Sequence, residues 1–275
     1  MKLVLHEPFK SLWAGRDPFL EVEQLEGEVF RELEARRTLR TEVAGQGYFV
    51  KIHRGVGWPE IVKNWMTLKK PVLGADQEWT AIAALTKAGV PTMTAAAFGE
   101  RGRNPATRHS FIITEELAPT ISLEDFSINW LDQPPGFTLK YALVERVADM
   151  TRRMHQAGVN HRDCYICHFL LHTDEPPTPA NLRLSLIDLH RAQVRPRVPQ
   201  RWRDKDLAGL YFSALGIGLT RGDKLRFLRR YFQRPLRDIL NEEEQLLRML
   251  ERQAARLQGR YQRKYADADI KDTSA

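Results

Sequence analysis

Cysteine is scarce in this chain, with two among 275 residues, and both fall inside the short segment His161–His168. A chain of this length buries enough of its own surface to fold without disulfide staples. Long hydrophobic runs are missing as well: stretches such as Phe111–Ile113 and Ser185–Ile187 fall far short of the 18 or more apolar residues of a spanning helix, so the chain is not expected to cross a bilayer. Met1–Pro8 meets an acid and a proline at once and shows no apolar leader, which makes the cytosol the expected location. Internal repeats and low-complexity tracts are absent. With 43% hydrophobic, 28% charged and 9% aromatic residues, the composition excludes a disordered or fibrous chain. At roughly 100–200 residues per domain, the length makes one large domain or two lobes.

What the sequence has in excess is positive charge, unevenly placed. The net charge is +7, and residues 195–275 alone carry 19 basic and 11 acidic side chains, a surplus of eight that leaves the rest at −1. A basic third suits an anionic partner: nucleic acid, an anionic membrane surface, an acidic protein or a glycolipid. A set of solvated, Arg-rich helices is the competing reading.

Periodicity organises the chain into a strand-rich first part and a helical second part. Residues 25–55 read as a β-meander, with strands near Val29–Leu33, Thr38–Val43 and Tyr48–Ile52, the last two joined by the turn Ala44–Gly47. Helical spacing covers 60–70 and 76–88, and Gly89-Val90-Pro91 stops the second of these. Phe111–Thr114 predicts a further strand. After Pro119, Leu143, Val147, Met150 and Met154 form one stripe of a long helix that Gly158 ends as a left-handed cap. Phe169–His172 and Leu184–Ile187 form a short β-pair around a proline-rich loop, and helices follow near 205–216, 221–232 and 236–262. The expected fold class is α+β: a small β-rich lobe over 1–118 with inserted helices, a larger helical lobe over 119–265, and a polar, disordered tail over 266–275. Such a layout suits a ligand held between lobes.

His161-Arg162-Asp163-Cys164-Tyr165-Ile166-Cys167-His168 is the densest concentration of reactive side chains. Cys164, Cys167 and His168 match a c-type haem attachment pattern, and with His161 they offer four zinc-type ligands. Haem attachment requires export, and a zinc site normally draws two ligands from each of two loops. A redox Cys-x-x-Cys wants a helix N-terminus in a βαβ setting, which these flanks do not supply.

The third reading is a phosphotransferase loop. His161-Arg162-Asp163, after a long helix and before a short hairpin, resembles the H-R-D triplet of the protein-kinase superfamily. Ile187-Asp188-Leu189-His190 falls where that superfamily has its D-F-G, Tyr48-Phe49-Val50-Lys51 resembles the V-A-I-K strand, and Glu78 opens the following helix. Singly each match is weak; their joint order is not. The resemblance implies a protein-kinase-like two-lobed fold using ATP and Mg²⁺. Lys51, held by Glu78, would grip the α/β-phosphates; Asp188 would carry the metal; Asp163 would orient the acceptor hydroxyl and take its proton. Backbone groups of Glu115 and Leu117 sit at the adenine edge. Asp206, opening a helix, is either its N-cap or a brace for the catalytic loop, which His161 and Arg162 also support.

Two departures from that superfamily stand out. No G-x-G-x-x-G loop is present, and Arg36 and Arg37 occupy its place as phosphate donors. His168 stands five residues after Asp163, where the superfamily has a metal-binding Asn, so either His168 joins the metal or Asp188 holds it alone. No A-P-E segment follows; instead Arg191, Arg195, Arg197, Arg201 and Arg203 form an Arg-rich acceptor-binding segment suited to an anionic acceptor.

Over roughly residues 5–265 the chain is similar to the lipopolysaccharide core heptose(I) kinases of Gram-negative bacteria. The strings that carry this are His161–His172, Ile187–Gln193, Arg201–Leu207 and Pro71-Val72-Leu73-Gly74-Ala75. The resemblance implies ATP-dependent phosphorylation of the 4-hydroxyl of the first inner-core heptose on a lipid A-bearing acceptor, at the cytoplasmic face of the inner membrane. Arg226, Arg229, Arg230, Arg234 and Arg237 would then meet anionic lipid, and Ile61–Leu68 with Trp58 and Trp65 either adds an interfacial stripe or packs on the first lobe. A protein (tyrosine or Ser/Thr) kinase shares the same core and is the alternative. An acidic protein partner also fits the charge, and nucleic acid is not expected.

Overall fold

The computed structural model describes residues 1–33, 35–55, 57–58, 74–104 and 106–272, with side chains as far as residue 257 and at 259. The helix expected over 60–70, Trp65 and Pro71–Leu73 lie outside the described residues. Contacts divide the chain into two compact units: Met1–Ala118 with Asp188–Val194, and Pro119–Ile187 with Arg195–Ala275. The expected contiguous second lobe therefore gives way at one place, where Asp188–Val194 packs with the first unit.

The first unit is built on an antiparallel sheet of strands β1 (Lys2–Leu5), β2 (Glu28–Leu33), β3 (Arg36–Val43), β4 (Gln46–His53), β5 (Ala95–Arg101) and β6 (His109–Glu115), in the order β1-β5-β6-β4-β3-β2. The meander was legible from β-branched and aromatic residues. β5 was not: Ala95-Ala96-Ala97-Phe98-Gly99 has weak strand propensity and is a strand because it pairs on both sides, with β1 and β6. Side chains alternate across the sheet, so Leu39, Val50, Ile52, Phe111 and Ile113 share a core with Phe9, Trp13 and Phe19 from the N-terminal helical turns. Phe9 lies 5.0 Å from Trp13 and 5.0 Å from Tyr48, and Phe19 lies 5.2 Å from Phe111, ring to ring. Each fully buried ring or aliphatic chain of this kind contributes about 1.5–3 kcal/mol. Period-two alternation sends Lys51, between Val50 and Ile52, to the opposite face. Helix α1 (Asp76–Lys87) packs there, with Trp79 stacked on Phe98 at 5.0 Å, and it also contacts the turn Leu189–Arg191.

The second unit is mostly helical. Helix α2 (Phe137–Gln156) buries Leu143, Val147, Met150 and Met154, the stripe its spacing predicts, and Gly158 follows it at φ +77°. Strand β7 (Thr120–Ser122) joins the expected pair β8 (Phe169–His172) and β9 (Leu184–Leu186) in a sheet ordered β9-β8-β7. Then come α3 (Gln200–Ser213), α4 (Arg221–Phe232), α5 (Leu236–Glu242) and α6 (Glu244–Asp272). A capping box between Thr220 and Asp223 starts α4. Where a single helix was expected over 236–262, the chain breaks at Glu243, and the backbone of α6 is helical to Asp272, within the segment expected as a tail. Ala148, Leu207, Ala208, Tyr231, Leu246 and Leu250 knit α2, α3, α4 and α6 together. Beside them lies an apolar cavity of about 310 Å³, lined among others by Leu143, Val147, Leu207, Leu210, Leu247 and Leu250. Among the described residues no helix is long and apolar enough to cross a membrane.

Candidate active site

Lys51 meets Glu78 within the first unit: Nζ lies 2.8 Å from Oε1. Glu78 is 1% exposed, and its second oxygen is buried without a hydrogen-bond partner. A carboxylate held so far from water depends on the lysine charge beside it. Lys51 Nζ also lies 3.6 Å from Asp188 Oδ1, an oxygen that sits 2.6 Å from His190 Nδ1. Asp188 is left-handed, at φ 61° and ψ 52°, an uncommon state for a residue with a side chain. A strand lysine, a helix glutamate and a loop aspartate thus converge through α1, which touches both the sheet and the turn after Asp188.

The β3–β4 register sorts the two arginines proposed as phosphate donors. Thr38 pairs with Lys51 and Arg36 with His53, so Arg36 stands on the lysine face, whereas Arg37 pairs with Ile52. Burial lowers the Arg36 pKa first and Arg31 lowers it further, while the charges of Glu78 and Asp188 act the other way, which places Arg36 in the same electrostatic neighbourhood. Arg37 turns away, donating to the Glu23 carbonyl at 3.0 Å and pairing with Glu32 at 3.3 Å. His53 is pushed down to about 3 by burial, with Arg36, Lys51 and His190 adding to it, and stays neutral. At the adenine-edge positions, the Glu115 N–H is already donated to the Thr94 carbonyl at 2.9 Å, so Glu115 can offer a nucleotide only its carbonyl.

The second unit carries the loop His161–His168, and one carboxylate organises it. Asp206 accepts from the His161 N–H at 2.7 Å and the Arg162 N–H at 2.8 Å. Because α3 starts at Gln200, Asp206 lies inside the helix and is not its N-cap. It is 1% exposed, and it pins Arg162 at φ +74°. His155 stands behind it, with Nε2 3.3 Å from Asp206 Oδ2 and Nδ1 2.7 Å from the Tyr231 hydroxyl. The His161 ring reaches the Ile187 carbonyl at 2.9 Å and stacks on His168 at 5.4 Å. His168 Nδ1 lies 2.7 Å from the Asp163 carbonyl. His155, Tyr231 and His190 were not singled out from the sequence: isolated in it, they join the site only by packing.

The thiol chemistry weighed for this loop finds no support in its geometry. Cys164 and Cys167 form no disulfide, and burial, with Asp206, Cys167 and Asp163 contributing, raises the Cys164 thiol well above its usual range. Among the described residues no three His, Cys, Asp or Glu side chains are grouped so as to hold a metal. A hard ion such as Mg²⁺ keeps waters and substrate phosphates as ligands and needs few protein oxygens. Asp188 is an oxygen donor of the required kind.

Of the acceptor arginines, Arg195 and Arg201 gather at the Trp202 ring, at 6.0 and 5.0 Å from its centroid. Arg203 is turned onto Asp204 at 2.9 Å and towards Glu243 at 3.9 Å. Arg191 belongs to the first unit, and Arg197 is exposed. Three members of the basic set assigned to lipid contact are neutralised internally: Arg226 by Asp223, Arg230 by Asp149, and Arg234 by Glu242 and Glu243, while Arg229 and Arg237 are exposed.

Comparison with known proteins gives the chain's family. Residues 20–231 match the model of the lipopolysaccharide kinase (Kdo/WaaP) family. A Pseudomonas aeruginosa protein named lipopolysaccharide core heptose(I) kinase WaaP is 67% identical over 267 residues, covering 97% of this chain and 99% of its own length. An Escherichia coli protein of the same name is 58% identical over 260 residues, covering 94% and 98%. A solved structure, WaaP in complex with acyl carrier protein, is 64% identical and superposes with a TM-score of 0.85 over 94% of this chain and 99% of that one. With a β-rich first unit, a helical second unit and kinase-type residues on each, the chain belongs to the lipopolysaccharide kinase (Kdo/WaaP) family.

Proposed function

We propose that this protein transfers the γ-phosphate of ATP to the 4-hydroxyl of the first inner-core heptose of lipopolysaccharide. The observation that carries the reading is the 67% identity, over nearly the whole of both chains, to a protein named for that activity. The alternative of a protein kinase is not favoured by these relatives, which are named for the heptose kinase. Phosphoryl transfer is mostly positioning and charge neutralisation, and this chain's residues divide the work. Lys51, steadied by Glu78, grips the α/β-phosphates, and Arg36 on the same strand face adds a second cation in place of a glycine loop. The Glu115 carbonyl and the Leu117 backbone meet the adenine edge. Asp188 would hold Mg²⁺, with His168 as a second donor, and the ion when bound supplies charge neutralisation on the phosphates. Asp163 accepts a hydrogen bond from the heptose hydroxyl and takes its proton as that oxygen bonds to the γ-phosphorus and the bond to the β,γ-bridging oxygen breaks. Asp206 and His161 hold the loop that presents Asp163, and Arg191, Arg195, Arg197 and Arg201 face the anionic acceptor.

The test is phosphate transfer from ATP/Mg²⁺ to dephosphorylated core lipopolysaccharide, comparing wild type with Asp163→Ala of intact fold. Transfer to the heptose that disappears in the variant is expected; no transfer by wild type, or equal transfer by both, removes the assignment.

A protein partner follows from the same relatives. The surplus of eight basic residues after residue 194 suits an acidic protein, and the apolar cavity of about 310 Å³ suits an acyl chain, so an acyl carrier protein is the partner proposed here as well. Calorimetric titration with purified acyl-loaded and unloaded carrier checks this: the loaded form is expected to bind more tightly, and equal affinity would separate the cavity from the interaction. The protein works peripherally at the cytoplasmic face of the inner membrane, where its acceptor is made.

A further inference from the structure

We infer that Tyr231 is a positioning residue for the transfer step, coupling an acyl chain in the apolar cavity of the second unit to the loop that presents Asp163. This role rests on the transfer and acyl-chain readings above and adds to them what the chain does for the reaction.

The cavity and the loop share their anchors. Tyr231 lines the cavity with Phe227, whose ring is stacked on it at 6.0 Å, and the Tyr231 hydroxyl lies 2.7 Å from His155 Nδ1. His155 Nε2 lies 3.3 Å from Asp206 Oδ2; a carboxylate can only accept, so Nε2 is the donor there. The same oxygen accepts the His161 N–H at 2.7 Å, and Oδ1 accepts the Arg162 N–H at 2.8 Å. Tyr231, His155 and Asp206 are all buried, where each bond is stronger than it would be in water. Burial raises the Tyr231 pKa far above its ordinary value, so the phenol keeps its proton.

A second path runs beside the first. Ile166, inside the loop, also lines the cavity, and its N–H donates to Ser213 Oγ at 3.0 Å. Ser213 donates in turn to the Leu210 carbonyl at 3.0 Å, and Leu210 is again cavity wall. Helix α3 thus gives Leu207 and Leu210 to the cavity and Asp206 and Ser213 to the loop.

Packed interiors transmit a displacement instead of absorbing it. An apolar chain among these walls adds dispersion contacts to Tyr231 and Ile166 and fixes their rotamers. At the far end of the path, Arg162 has two arrangements: φ +74° while Asp206 holds its N–H, and a relaxed backbone once that hold is lost. A chain that fixes Tyr231 favours the first, and Arg162 is the residue before Asp163. The ligand acts by its differential affinity for these two states.

The test titrates the full chain with decanoate, using butyrate as a control that carries the carboxylate without the long chain. Decanoate is expected to bind wild type by calorimetry, to slow hydrogen exchange at the His161 and Arg162 amides, and to raise kcat about fivefold with the ATP KM within about twofold. Butyrate should do none of this. Tyr231→Phe keeps the ring and loses the hydroxyl, so it should bind decanoate within about twofold of wild type, while kcat is lower and neither kcat nor the two amides respond. His155→Gln is the second variant, should the first not fold, and a retained response to decanoate in either one overturns the proposal. Binding that moves neither the amides nor kcat, a change confined to KM, or equal effects of decanoate and butyrate also overturns it. No binding of decanoate removes the acyl-chain reading and the coupling together. Should wild type transfer no phosphate, the transfer reading falls by itself, and exchange at the two amides with decanoate still judges the coupling.

Discussion

Replacing Asp206 by alanine is the sharpest test of how this fold holds the loop His161–His168. The carboxylate is 1% exposed and accepts the N–H groups of His161 and Arg162 at 2.7 and 2.8 Å. Hydrogen bonds to a charged group contribute about 1.5–3 kcal/mol each, and backbone donors left without an acceptor carry their own desolvation cost. Arg162 sits at φ +74°, a conformation that costs an L-residue about 1–2 kcal/mol and persists only while something holds it. With the acceptor gone, Arg162 relaxes and water reaches the loop, so the full sum of two bonds is not lost; a destabilisation of about 3 kcal/mol is expected. Relaxation moves Asp163, and a displacement near 1 Å lowers kcat by about 100-fold. The ATP KM should change little, because Lys51, Glu78 and Asp188 belong to the other unit. Asp206→Asn should rescue only part, since one amide oxygen can accept a single bond while its NH2 group faces the other donor. Urea unfolding gives the stability, steady-state kinetics gives kcat and KM, and hydrogen exchange at His161 and Arg162 reports the pinning directly. Stability within about 1 kcal/mol of wild type together with unchanged exchange at both amides would falsify the reasoning.

The other predictions address the remaining elements of the two units. Lys51→Met leaves the buried Glu78 carboxylate uncompensated and should cost about 3–5 kcal/mol in urea unfolding, most of it recovered when Glu78→Leu is added; a double variant no more stable than the single one contradicts the pairing. His53 takes its proton near 6.5 when unfolded and only at about 3 when folded, so the stability it confers is complete above pH 6.5 and drains away as the pH falls towards 3, by about 1.4 kcal/mol per unit. His53→Gln should flatten that slope in unfolding curves between pH 6.5 and 4, and an identical slope would rule His53 out as its source. Gly158→Ala places a Cβ 1.8 Å from the Arg195 carbonyl oxygen at φ +77°; the acceptor KM should rise with the ATP KM unchanged, and equal shifts in both would break the link from Gly158 to Arg195.

Legibility in the sequence followed the range of the interactions involved. Lys51 was readable from the resemblance of Tyr48-Phe49-Val50-Lys51 to the kinase lysine strand, and the strand itself from its β-branched and aromatic residues, in which Val50 and Ile52 face the aromatic core and the residue between them faces away. The long helix before the catalytic loop was readable from Leu143, Val147, Met150 and Met154, and its end from Gly158. Strand β5 was unreadable because Ala95–Ala97 carry little intrinsic preference and are strands by pairing on both edges. Asp206 shows the limit within a single residue. Its place near a helix start suggested a cap, but α3 begins at Gln200, and the carboxylate instead serves a loop 44 and 45 residues away in sequence.

Motif order, residue type and local periodicity were enough to place the chain among kinase-like α+β proteins and to nominate Lys51, Glu78, Asp163 and Asp188 as candidate site residues, because those features are written in short spans and in their succession along the chain. Other features depend on contacts between distant segments, whose register no short span encodes. Folding separated Arg36 from Arg37, assigning one to the lysine face and one to Glu23 and Glu32. It moved Asp188–Val194 into the first unit and brought His190 onto Asp188. It also gathered Arg162, Arg195, Arg201 and Lys205 around Trp202 while turning Arg203 away. Charge type is a property of each residue, whereas charge convergence is a property of packing.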